Sequence, residues 1–218
     1  MIQPVGQLPN DELVILVHGL AAHRLVMGRL AWSLRDLYAR VVNWGYSSLW
    51  SPIERHGRAL AGMLERLDSE GKHSRIHLVT HSMGGIVARL ALAEYLPRNF
   101  GRFVMIAPPN RGSHLAARLA PFLGRVCPPL VQLGNHEASF VCSLPLPQVT
   151  DLGIIAAKTD FLVRHPNTRL GCERDHIILP GLHSSLLWRR ETAEQVRHFL
   201  EHGEFRRQQS GVGLQPAA

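Results

Sequence analysis

The chain has no run of about 20 consecutive apolar residues, so no membrane-spanning helix is expected. Its 218 residues show no internal repeat, which sets aside solenoid and propeller architectures. Lysine is nearly missing: only Lys72 and Lys158 occur, so the formal net charge of +7 rests on arginine. Most arginines stand singly, with pairs at Arg189-Arg190 and Arg206-Arg207, and no basic stripe alternates with aromatics. A nucleic-acid partner is therefore not expected, whereas weak contact with an anionic membrane surface stays open. Cysteine is scarce. Cys127, Cys142 and Cys172 make an odd number without C-x-x-C spacing, which argues against a metal or redox site. A Cys127–Cys142 bridge is one reading and free thiols in a reducing compartment are the other. Met1 to Glu12 lack a basic start and an apolar segment, so the expectation is a cytoplasmic protein, or a chain whose start was trimmed.

What is present is alternation. Apolar runs of strand length at Leu13–Val17, Arg40–Trp44, Ile76–Val79, Phe103–Ile106, Asp151–Ala157 and His176–Leu179 are separated by helical periodicity. The helical stretches are Met27–Tyr38, Ile53–Leu67, Ile86–Leu96 and Thr192–Leu200. Such alternation predicts an α/β fold, a mostly parallel sheet of about six strands flanked by helices. Residues 1–205 read as one domain and 206–218, rich in Gly, Gln and Pro towards its end, as a disordered tail. Ala120–Val149 has five prolines and no clear period. It reads either as a short lid or acyl-chain wall, using Phe122, Leu130, Val131, Leu133 and Phe140, or as a packed surface loop.

The most informative segment is Thr80-His81-Ser82-Met83-Gly84-Gly85, between a strand signal and a helix signal. This pattern lifts a nucleophilic serine onto a sharp turn. The place two residues before the serine, commonly glycine, is Thr80, which is also small. The first strand ends in His18-Gly19-Leu20, where a turn of this kind aims a backbone N–H at the serine. The N–H groups of Leu20 and Met83 are thus the expected oxyanion hole, each such donor being worth about 3–4 kcal/mol.

A serine nucleophile needs a base, and the base needs an orienting acid, in the chain order Ser, acid, His. The loop after the last strand offers His183. Asp160 follows the preceding strand and its continuation Lys158-Thr159, and is the first candidate acid. Asp175 stands second, since it precedes its strand and falls at the wrong sheet edge, and Glu173 third. His81 and His18 are read as supporting residues, His18 fixing the oxyanion turn. A His18/His81 metal pair lacks a third ligand of sensible spacing, and no metal is expected.

With these segments, and with Ala107-Pro108-Pro109-Asn110-Arg111-Gly112-Ser113 and Asp175-His176-Ile177-Ile178-Leu179-Pro180-Gly181-Leu182-His183, the chain from Leu13 to Phe205 resembles the α/β-hydrolases. Among them it is similar to the small, lid-poor bacterial lipases and lipase-like esterases. In similar sequences the acid opens a segment upstream of Thr-Arg-Leu, here Thr168-Arg169-Leu170, and the matching place is Asp160. Phe161 stands where that family usually has glycine. The resemblance implies a serine hydrolase of carboxylic esters acting on a small-molecule or lipid ester, with no cofactor and no metal. Thioesterase or acyltransferase chemistry would use the same residues, and a non-catalytic binding protein is the alternative of another class.

Overall fold

The computed structural model describes residues 10–207. Six strands form one sheet: β1 (Asn10–Val17), β2 (Tyr38–Trp44), β3 (Ile76–His81), β4 (Phe100–Ile106), β5 (Leu152–Ala157) and β6 (Asp175–Leu179). Their order across the sheet is β2-β1-β3-β4-β5-β6, and every neighbouring pair is parallel. Parallel neighbours need crossovers, and helices supply them on both faces. The helices are α1 (Gly28–Leu34), α2 (Ile53–Glu70), α3 (Met83–Glu94), α4 (His114–Leu123), α5 (Pro128–Gln132), α6 (Phe140–Ser143) and α7 (Arg190–His202).

The period-two rule sorts the strands between two cores. Leu13, Ile15 and Val17 of β1 pack with Leu60 and Leu64 of α2 and Ile86 and Val87 of α3. Val14 and Leu16 face the other way, into a core with Leu30 and Leu34 of α1 and Val196 and Phe199 of α7. Central strand β3 is buried throughout, as a strand covered on both faces must be. Its carboxyl end therefore delivers Ser82 to the one edge where the crossover loops gather.

Two expectations shift, and of the two cysteine readings the free thiols hold. The helix expected over Met27–Tyr38 is shorter, because Tyr38 pairs with Asn10 in the sheet and is buried there. Ala120–Val149 is not a featureless loop: it holds the end of α4, then α5 and α6. These last two span five and four residues, too short to display a helical period. Cys127 is buried and Cys142 exposed, and both are free, so no bridge joins them.

The tail reading meets the structure only at its start. Arg206 accepts from and donates to the Gln195 side chain, and the Arg207 guanidinium meets Asp175. Residues 208–218 and the Met1–Pro9 start lie outside the described residues. Asp175 also accepts the Phe205 N–H and its neighbour His176 N–H, at 2.8 and 2.7 Å. Replacing Asp175 by Asn keeps the volume but removes the charge that these donors share. The expected loss is about 1–3 kcal/mol of unfolding free energy, read from urea denaturation. An unchanged urea midpoint would contradict this anchoring role.

Candidate active site

Ser82 sits at the junction of β3 and α3 with φ 52° and ψ −129°, a left-handed conformation that is strained for a residue with a side chain. Neighbours hold it there. Its N–H donates to Ile106 O at 2.8 Å, continuing the β3–β4 ladder, and its carbonyl accepts from Gly85 N–H at 2.9 Å. Two glycines make the turn possible. A Cβ on Gly84 would lie 2.5 Å from the carbonyl oxygens of Val17 and His18, so α3 starts hard against the end of β1. A Cβ on Gly19 would lie 2.8 Å from Ser82 Cβ, so the turn that carries Leu20 runs alongside the serine. Met83 opens α3, and the first N–H groups of a helix have no intrahelical acceptor. Thr80 is fully buried, with its hydroxyl against β4, and fills the space usually left to glycine.

The structure brings the three remote side chains together. His183 Nε2 lies 2.9 Å from Ser82 Oγ, and His183 Nδ1 lies 2.7 Å from Asp160 Oδ2. Asp160 can only accept, so Nδ1 carries the proton and Nε2 is left to accept from the serine hydroxyl. The other Asp160 oxygen accepts the N–H groups of Leu162 and Val163, both at 2.8 Å. The Phe161 departure does not disturb this turn: its side chain projects into solvent, 80% exposed. The His183 loop is set by Gly181 at φ 140° and by Thr159 N–H donating to Gly181 O. Asp175 is committed to the C-terminal anchor, and Glu173 accepts from Leu170 and Gly171 N–H while pairing with Arg169. Neither contacts His183.

Two further histidines support the geometry. His81 is buried behind the base, where its Nε2–H donates to His183 O at 3.3 Å. Burial, followed by the nearby His183, pushes its pKa down to about 3, so the ring stays neutral. His18 stacks on Tyr46, donates through Nδ1 to Gly19 O at 2.9 Å and accepts the Tyr46 N–H. The Tyr46 hydroxyl donates to His18 O at 2.8 Å, so His18, at the start of the turn that carries Leu20, is held by Tyr46 through both its ring and its carbonyl. Burial lowers the His18 pKa as well. Among the described residues, no three His, Cys, Asp or Glu side chains converge to hold a metal.

Ser82 and His183 open onto a cavity of about 620 Å³. Leu130 and Leu133, one helical turn apart, line it. Val131 and Phe140 do not. Val131 falls on the outer side of α5 and is 54% exposed, and Phe140 packs against the α2–α3 core. Most of the wall was not legible: Leu115, Leu119 and Leu123 from α4, and Leu162, Leu187 and Trp188 from the loops of Asp160 and His183. The spacing 115, 119, 123 is a helical stripe, which Pro121 inside the helix obscures. No Asp, Glu, Lys or Arg lines the cavity among the described residues.

A parallel six-stranded sheet of this order, with a serine on a sharp turn after its central strand, defines an α/β-hydrolase. The chain belongs to the family described as serine aminopeptidase, S33, whose model matches residues 9–188. A search of curated proteins found no match. Among solved structures, the mature lipase of Bacillus licheniformis superposes with a TM-score of 0.66 at 16% identity, over 91% of this chain and 95% of that one. Aspergillus fumigatus lipase B gives 0.69 at 20% identity, over 88% of this chain but only 53% of its own length. A thermophilic esterase from Thermogutta terrifontis gives 0.62 at 14% identity, over 89% and 91%. At these identities the likeness is one of fold.

The neutral histidines make stability pH-dependent. Both lowered pKa values lie below the ordinary 6.5, so on acidification the unfolded chain takes up protons before the native one does. Native stability is therefore complete above about pH 7 and falls as pH drops below 6.5, by up to ~1.4 kcal/mol per pH unit for His81, with His18 acting in the same direction. Urea midpoints measured from pH 7.5 to 5 should decline, less steeply in His81→Gln. Equal wild-type stability at both ends would contradict the assignment.

Proposed function

We propose that this protein hydrolyses carboxylic esters with apolar acyl groups, through a covalent acyl-enzyme on Ser82. The observation that carries the reading is the continuous chain Ser82 Oγ, His183 Nε2, His183 Nδ1, Asp160 Oδ2, with contacts of 2.9 and 2.7 Å, at the wall of an apolar cavity. Ser82 attacks the ester carbonyl as His183 takes its proton. The N–H groups of Leu20 and Met83 hold the oxyanion. The imidazolium, stabilised by Asp160, returns the proton to the leaving alcohol. Water then repeats the sequence on the acyl-enzyme.

The family description names aminopeptidases, but the cavity supports esters better. An aminopeptidase must hold a substrate ammonium group, and no carboxylate lines this cavity among the described residues. Its wall instead offers leucines, and its rim leaves Leu115, Leu123, Leu162 and Trp188 partly exposed. Weak contact of this rim with an anionic lipid surface is part of the proposal and is read by co-sedimentation with anionic vesicles.

Ser82→Ala should lower kcat on p-nitrophenyl esters by about 10⁶-fold, and Asp160→Asn by about 10⁴-fold through the wrong tautomer of His183. Asp175→Asn should leave kcat within about two-fold, because it reaches no reacting group. Near-normal turnover in pure Ser82→Ala protein would end the mechanism. A larger loss in Asp175→Asn than in Asp160→Asn would end the assignment of the acid.

Acyl preference gives a separate check. Each buried methylene is worth about 0.8 kcal/mol, or roughly four-fold in kcat/KM, until the chain outgrows the cavity. Leu130→Ala should shift that limit, whereas Phe140→Ala, outside the wall, should not. A flat chain-length profile, or a shift only in Phe140→Ala, would place the acyl site elsewhere.

A further inference from the structure

A second cavity, of about 550 Å³, lies apart from Ser82 and His183, between α3, the loop after β4 and the segment around α6. Its charged lining is three arginines, Arg89, Arg111 and Arg169, against one acid, Glu137. Arg169 is already paired with Glu173. Arg89 is the unusual member. It projects from α3, a helix buried on nearly every side, and is only 3% exposed.

A buried guanidinium is normally matched by a carboxylate or phosphate. Arg89 has no acidic partner among the described residues. It donates only to neutral oxygens: Asn110 Oδ1 at 3.3 Å, Leu144 O at 3.0 Å and Pro145 O at 3.1 Å. Its buried Nε–H has no partner at all. Burial lowers its pKa to about 10, which still leaves it charged at neutral pH. Arg111, at the same cavity, is exposed and likewise has no acidic partner among the described residues.

We propose that this cavity is an oxyanion-binding site, in which a phosphate or carboxylate group supplies the counter-charge that Arg89 lacks and is gathered by Arg111. The occupant is small or carries its anionic group on a compact body, as the volume requires. An anion there would bridge α3 to the loop after β4. That loop also reaches the Thr168 region, through Asn110 Nδ2 donating to Thr168 O at 2.7 Å.

The test is thermal unfolding of the full chain in sodium phosphate or sodium acetate, against sodium chloride of matched ionic strength. One of the two anions should raise Tm in step with the logarithm of its concentration once above its Kd, by roughly 3–6 °C at ten times its Kd. Phosphate acting at the lower concentration assigns a phosphate ligand, and acetate a carboxylate. Arg89→Met should abolish the rise. Arg111→Gln, at an exposed position that does not endanger folding, should raise Kd about ten-fold and keeps the question answerable if Arg89→Met fails to fold. No rise above chloride, or an undiminished rise in Arg111→Gln, would overturn the proposal.

Discussion

The candidate site depends on one steric constraint: the backbone at Ser82 must press against the end of β1. Gly84 meets the carbonyls of Val17 and His18 there, and Gly19 meets Ser82 itself, at separations that leave no room for a side chain. This contact fixes the strained serine, and it brings the Leu20 turn beside the start of α3. A turn strained by about 1–3 kcal/mol survives only where its surroundings over-determine it. Here β3 is buried on both faces, the Ser82 N–H is held by Ile106, and α3 is buried along most of its length.

Around that constraint, charge is kept sparse and directed. Among the described residues, the one carboxylate that reaches His183 is that of Asp160, satisfied by two backbone N–H groups and the imidazole. His81 and His18 are kept neutral by burial, and each spends a ring nitrogen on a backbone carbonyl, His81 on that of His183 and His18 on that of Gly19. On the proposed mechanism, neither competes with His183 for the serine proton. The cavity beyond is apolar, so a developing oxyanion would meet backbone dipoles rather than a mobile charge.

Much of this was legible because it is local. A strand ending in His18-Gly19-Leu20 and another ending at Ser82 can be read from short-range pattern, and so can Asp160 and His183, which stand in the loops three and four residues beyond β5 and β6. The lid-like segment was less legible. Helices of four and five residues have no period to display, so the sequence could not separate Leu130 and Leu133, which face the cavity, from Val131, which faces solvent. The wall from α4 escaped because Pro121 masks its stripe. Arg89 was the least legible. A single arginine in a helix reads as a solvated residue, and only the packing of α3 on both its sheet and its neighbours reveals that this one is buried.

The central claim is that Ser82 is a nucleophile activated by His183, and covalent labelling tests it most directly. The protein would be treated with a fluorophosphonate, and intact mass and peptide mapping would locate the adduct. One adduct per chain is expected, on the peptide containing Ser82, lost in Ser82→Ala and strongly slowed when His183 is replaced by alanine. Folded protein that takes up no label, or labels at any other serine, would contradict it.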